Sequence, residues 1–245
     1  MVIRDYLKLT NLSDTSIKSM MIYISLVTGK VEEELHNLSI DELVNLYNEN
    51  NLELDSNGRN VIKIDTTPLQ IIDFNTVSLG QFIDLEHYIS DNWMKNIPFI
   101  TAILYRLFDK QPLKEIIFED YSTIDIKERG NIFLDTININ HVYGNIMKYI
   151  KWRESIFSTY SFFDSGINDI NPDELNEEEL EIYYDEINNA EKSKKSMWQD
   201  ILTKVSEGDI TRFDKILETN VILVFNRLDN MISEFNKINK SGIIT

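Results

Sequence analysis

Eight glycines and four prolines are all that punctuate a chain of 245 residues, and so few breakers favour long stretches of unbroken helix. Apolar side chains recur along much of it at spacings of three and four, the period of a helix with one buried face. Ser13-Asp14-Thr15 offers side-chain oxygens to free N–H groups ahead of Ile17, Met20, Met21, Ile24 and Val27, and Gly29 supplies a left-handed stop. Val31-Glu32-Glu33-Glu34-Leu35 predicts a short helical turn. Ser39-Ile40-Asp41-Glu42 then reads as a capping box, with Leu43, Leu46 and Tyr47 as the buried stripe of the helix it opens. Ser78-Leu79-Gly80-Gln81 repeats that logic, placing Phe82, Leu85, Tyr88 and Ile89 inward and Asp84 and Glu86 on the wet side.

One stretch breaks the helical pattern. After the turn signal Asn57-Gly58, β-branched alternation in Val61-Ile62-Lys63-Ile64 and a second extended run from Leu69 to Phe74 predict a small β-hairpin near residues 60–75. Pro68, at the start of the second strand, reads as an edge residue. Pro98 falls in the first turn of a helix starting around Ile97, and the apolar run Ile97 to Tyr105 reads as a core helix, too short to cross a bilayer. Leu113 to Tyr121 is expected to form a further short helix. Between Asp125 and Tyr143 the pattern fits strand or helix, whereas from Asn145 onward Ile146, Tyr149, Ile150, Phe157 and Tyr160 trace a helix ending before Gly166. Near the end, Met197, Trp198, Ile201, Leu202 and Val205 mark one helix and Phe213, Ile216 and Leu217 another. A final helix carries Val221, Val224, Phe225, Leu228, Met231, Ile232, Phe235 and Ile238 on one stripe.

The predicted architecture is therefore mainly α, a multi-helix assembly with a small β-hairpin. We expect a larger helical domain over residues 1–165, an acidic insertion or linker over 166–195, and a C-terminal helical unit over 196–245. The middle segment stands out because nine acidic and no basic side chains lie between Asp173 and Glu191, the composition of a solvated helix or linker.

Charge narrows the choice of partners. A formal net charge of −17 repels phosphate backbones and anionic headgroups, which argues against direct binding of nucleic acid or membrane. With 42% of residues hydrophobic, the chain can bury a core without staples. Cysteine is absent, as suits a reducing cytoplasm, and with it go thiol nucleophiles and cysteine metal sites. The start, Met1-Val2-Ile3-Arg4-Asp5-Tyr6, lacks the look of a signal peptide.

A search for chemistry finds no motif. Thr28-Gly29-Lys30 suggests a phosphate loop, but the glycine needed five positions before Gly29 is Ile24, so a helix C-cap explains it better. His36, His87 and His141 are isolated from one another, and the acidic block lacks the alternating ligands and central glycine of a calcium loop. There is no Gly-x-Ser-x-Gly elbow and no dinucleotide glycine fingerprint. We therefore expect no catalytic residues, no cofactor and no metal. The expected partner-binding residues are Trp198, Val221, Phe225, Leu228, Ile232 and Phe235, although the same stripe fits the core of the C-terminal unit equally well.

Two stretches resemble a known class of protein. Ser78-Leu79-Gly80-Gln81-Phe82-Ile83-Asp84-Leu85-Glu86, followed by Ala102-Ile103-Leu104-Tyr105-Arg106, resembles a pattern in assembly proteins of tailed bacteriophages, in which a cap opens one helix and a second helix carries Ile-Leu-Tyr-Arg. Met197-Trp198-Gln199-Asp200-Ile201-Leu202, then Glu207 to Leu217, then a long helix, is similar to the C-terminal part of tail-assembly chaperones and baseplate hub assembly proteins. The resemblance covers about a third of the chain. It implies a helical protein without catalytic residues that binds other phage structural proteins, in the host cytoplasm or the virion, with homo-oligomerisation left open. Two alternatives stand beside it: a permanent virion component such as a ring, adaptor or packaged protein, and an enzyme whose site is assembled from scattered Asp, Glu and His.

Overall fold

Local capping decides many of the helix boundaries in a computed structural model of the chain, which describes residues 1–12, 16–50, 52, 54–109, 117–163 and 197–241. The protein is mainly helical with one small antiparallel sheet. Its helices are α1 (Ile3–Thr10), α2 (Ile17–Thr28), α3 (Glu32–His36), α4 (Ile40–Glu49), α5 (Leu79–Asn92), α6 (Ile97–Leu104), α7 (Ile126–Thr136) and α8 (Ile139–Thr159). They continue with α9 (residues 197–205), α10 (Phe213–Glu218) and α11 (Val221–Ser241). The strands are β1 (Val61–Ile64), β2 (Thr67–Ile71), β3 (Tyr105–Asp109) and β4 (Ile117–Phe118), in the order β1-β2-β3-β4.

Both predicted capping boxes are present. Ser39 Oγ accepts from Glu42 N at 3.3 Å while the Glu42 carboxylate accepts from Ser39 N at 2.8 Å. Donation from the Ser39 hydroxyl at 2.7 Å, together with that from Ser39 N, holds the exposed Glu42 carboxyl below its ordinary pKa. Ser78 and Gln81 form the same reciprocal pair at the start of α5, at 3.3 and 2.8 Å. Gly29 closes α2 at φ +75°. The N-cap of α2 is Ser16, whose side chain accepts from Ser19 N at 3.3 Å; the expected capping residues Ser13 to Thr15 lie outside the described residues.

Several expectations are corrected. The hairpin is there, but β3 and β4 extend it to four strands. Tyr105 pairs with Ile71, so the apolar run from Ile97 leaves its helix at Leu104, and the stretch Ala102 to Arg106 is half helix and half strand. Ile117 and Phe118, expected in a helix, pair with Asp109 and Phe108. Pro68 is on an inner strand. Ile71 N reaches Asn60 O on the β1 side and Ile72 N reaches Leu104 O on the β3 side, so by alternation the nitrogen of Pro68 faces β3, one position past the last β2–β3 pair, Leu69 with Leu107. No ladder bond is lost there. The ambiguous stretch from Asp125 resolves into α7 and α8, joined at Ile137-Asn138.

The chain packs into two units: residues 1–72 with 85–150, and residues 73–84 with 151–245. These limits differ from the expected 1–165 and 196–245, because α8 runs on past residue 150 and because residues 75–79 are tied to residues 219–221. The expected acidic insertion, 166–195, lies outside the described residues.

In the first unit, α1 is fastened at its base by Ile3 N to Ile137 O and Ile139 N to Met1 O, both 3.0 Å. Helix α6 is buried almost throughout. Phe99 stacks on Tyr88 at 5.2 Å. Met21, Ile24, Leu35 and Leu43 form a separate small core for α2, α3 and α4.

The loop before β1 is clamped onto α8. Arg59 N donates to His141 O (2.7 Å), Asn145 Nδ2 to Arg59 O (2.9 Å) and Lys148 Nζ to Asn57 O (2.6 Å). His141, Gly144, Asn145 and Lys148 follow a three-and-four spacing, so one helix face holds the whole loop. Gly144 is required by contact: a Cβ there would sit 2.4 Å from Ser56 C. Tyr105 completes the clamp, its hydroxyl donating to Arg59 O at 2.6 Å and accepting from Asn145 Nδ2 at 2.8 Å. Burial pushes that phenol up to about 12.

The second unit has a different centre. Phe82, Phe157, Phe163, Trp198 and Phe225 gather with ring centroids between 4.6 and 6.5 Å apart, several edge to face. A backbone clasp joins distant stretches: Leu79 N donates to Thr219 O at 2.8 Å and Val221 N to Val77 O at 2.9 Å. Asn220 caps α11 by accepting from Ile222 N at 2.9 Å, while its side-chain amide donates to Asn75 O at 2.5 Å.

Candidate partner-binding surface

The six residues expected to bind a partner divide by depth. Val221, Phe225 and Leu228 are buried within the second unit, and Val224 between them is buried as well. Their depth fits the other reading of the stripe, as core of the C-terminal unit, because Phe82, Tyr160, Phe162 and Phe163 pack against Phe225 on that face. Trp198 is half-buried, with ring contacts to Phe82 at 5.8 Å and Phe225 at 6.5 Å. Ile232 is half-buried, but Phe235 is 63% exposed.

The position of Phe235 on the helix gives that exposure its meaning. At 100° per residue, Val224, Leu228, Met231 and Phe235 fall on one stripe, so Phe235 continues the core-facing line of α11 beyond the core that the line serves. Leu223, 61% exposed, lies about 120° round the same helix from Phe235. Ion pairs nearby, Arg227 with Glu207 at 2.8 Å and Arg212 with Asp209 at 3.1 Å, join side chains that are largely exposed and contribute little. Asp209 accepts from the Thr211 hydroxyl and N–H, which hold its carboxyl below the ordinary value.

Other chemistry-bearing groups are scattered. His87 is exposed beside Tyr88, with 5.2 Å between ring centroids. His141 is half-buried, and burial, with Arg59 and the N-terminal ammonium, lowers its pKa. Among the described residues no group of three or more His, Cys, Asp or Glu is placed to hold a metal ion, and no helix is long and apolar enough to cross a membrane. A hollow of about 220 Å³ opens between α1, α2 and α4, lined by Leu9, Met20, Tyr23, Tyr47 and Leu52 among others. The hydroxyl of Tyr23 is engaged there, donating to Asn50 O at 2.9 Å and accepting from Leu52 N at 2.7 Å.

The sequence reading missed two features. Glu86, expected on the wet face of α5, is only 6% exposed. A charged cluster of buried Arg106 with half-buried Glu119 and Arg129 also went unread, because its members sit on β3, after β4 and on α7, and no spacing rule links them. No family model, curated protein or solved structure matches the chain.

Proposed function

We propose that the chain is a non-enzymatic assembly protein of a tailed bacteriophage, which binds tail, baseplate or hub subunits during virion morphogenesis in the host cytoplasm. The observation that carries the binding role is Phe235, a large aromatic side chain that is 63% exposed on the apolar stripe of α11. An exposed aromatic continuous with a packed core gives a partner a rigid anchor, already ordered before contact. The charge of −17 suits this role, because it keeps a complex soluble while an apolar face is engaged. The resemblance of Met197 to Leu217 to tail-assembly chaperones names the class of partner.

Co-expression with the tail and baseplate subunits of the same phage, followed by pull-down, tests the reading. The expected result is capture of at least one subunit, weakened roughly 30-fold by Phe235→Asp, the size of a hot-spot loss. Failure to capture any subunit, or equal capture by the variant, overturns it. Mass spectrometry of purified particles then separates a chaperone that leaves from a subunit that stays.

A further inference from the structure

The sequence has one Asn-Gly pair, Asn57-Gly58, and it lies in the loop that α8 clamps. A glycine after asparagine leaves the next backbone nitrogen unshielded by a side chain, so the carboxamide and that nitrogen can meet. Asn57 is exposed. Among the described residues, neither its carboxamide nor the Gly58 N–H has a hydrogen-bond partner. Other exposed asparagines direct their amides to backbone carbonyls, as Asn11 does to Leu7 O and Asn37 to Glu33 O, both at 2.9 Å. The nucleophile and the leaving group of a ring closure are thus both uncommitted at Asn57.

Their neighbours are held in place. Asn57 N donates to Asp55 Oδ1 at 2.8 Å, and Arg59 N to His141 O at 2.7 Å. Gly58 sits at φ +65° with its nitrogen close to Gly144, where a Cβ would lie 2.5 Å from it. Lys148 Nζ donates to Asn57 O at 2.6 Å. That oxygen belongs to the same peptide group as the Gly58 N–H. When the nitrogen loses its proton, the negative charge spreads onto an oxygen that already faces an ammonium.

We propose that Asn57 is a self-modification site, which converts to aspartate and isoaspartate with assistance from the Lys148 ammonium. Gly58 N gives its proton to solvent hydroxide and attacks Asn57 Cγ. The N–Cγ bond forms, the Cγ–Nδ2 bond breaks, and ammonia leaves after taking a proton from water. Water then opens the succinimide ring. Addition at Cγ breaks the new bond and leaves aspartate; addition at the main-chain carbonyl breaks the original peptide bond and leaves isoaspartate, joined through Cγ. One water is consumed and one ammonia released, with no change of oxidation state. The isoaspartate product lengthens the main chain by one carbon beside Gly144, where even a Cβ finds no room, so the loop leaves α8 and the clamp opens.

The full chain is held in mildly alkaline buffer and sampled over days by peptide mapping with mass spectrometry, and hydrogen exchange at Arg59 N is followed in parallel. Asn57 is expected to convert ahead of every other asparagine, giving both aspartate and isoaspartate, with faster exchange at Arg59 N in the converted fraction. Asn57→Gln, an exposed change that disfavours ring closure, should remove the mass gain at this position. Lys148→Gln keeps a hydrogen-bond donor for Asn57 O but not the charge, and should slow conversion about tenfold. That difference should vanish in urea, where the contact is lost. Asn57 remaining intact while other exposed asparagines convert overturns the site. Conversion in Lys148→Gln at the wild-type rate or faster overturns the assistance by Lys148, and so does slowing that persists in urea.

Discussion

Tyr105 in the first unit and Phe225 in the second are both fully buried aromatic rings, yet different forces hold them. Tyr105 is fixed by direction: its hydroxyl, Arg59 O and the Asn145 amide lie within hydrogen-bond distance of one another. Phe225 has no polar group to direct it and is surrounded by rings, with Phe163 at 5.1 Å, Tyr160 at 5.4 Å and Phe82 at 5.6 Å. Burial of apolar area is large and forgiving of angle, whereas a buried hydrogen bond is small in net value and costly to leave half-made. The first unit therefore gains definition at its loop clamp, and the second gains mostly bulk.

The comparison is broken most sharply by Phe225→Ala. Removing a fully buried phenyl ring should cost the second unit about 3–5 kcal/mol, read by urea titration through the fluorescence of Trp152 and Trp198, which both contact this cluster. A loss below about 1 kcal/mol would show that the ring cluster collapses freely around the gap. Tyr105→Phe should cost less, about 1–3 kcal/mol, because it leaves one Asn145 amide hydrogen without its acceptor while Arg59 O keeps its bond from Asn145. Its signature should be local, a faster hydrogen exchange at Arg59 N, which donates to His141 O at 2.7 Å.

A third test concerns pH. Burial raises the Glu119 carboxyl, but Arg129, the Leu107 N–H and Arg106 outweigh it and hold the group below its ordinary value. A carboxyl depressed in the folded state adds stability above its unfolded pKa, and that stability fades as pH falls through the folded pKa. Urea midpoints measured downward from pH 6 should therefore begin to fall near the ordinary glutamate range of about 4.3. In Glu119→Gln this component of the slope should disappear. An identical slope in the variant would assign the acid sensitivity to other carboxylates.

Local rules carried most of the helical reading. Capping boxes at Ser39 and Ser78 and the stop at Gly29 depend on residues three or four positions apart, and all three are where the spacing placed them. The strand at Tyr105 was hidden for a physical reason. The residues from Ile100 to Tyr105 are all buried, so no period marks the point where helix gives way, and pairing with Ile71 decides it. Ile117 and Phe118 are likewise placed by partners across the sheet. On α11 the stripe was legible, but which part of it is covered depends on Phe82, 143 positions before Phe225 in the chain. The Arg106 cluster had no local signature at all.

The clasp between residues 75–79 and 219–221 also bears on how the chain is made. A ribosome releases Val77 and Leu79 about 140 residues before their hydrogen-bond partners Val221 and Thr219 emerge. Until then, the start of α5 has no backbone acceptor waiting for it, and its Phe82 side chain lacks Trp198 and Phe225. The second unit can close only after residues 219–225 have emerged, so a product stalled before them would leave residues 73–84 exposed, whatever the first unit had already achieved.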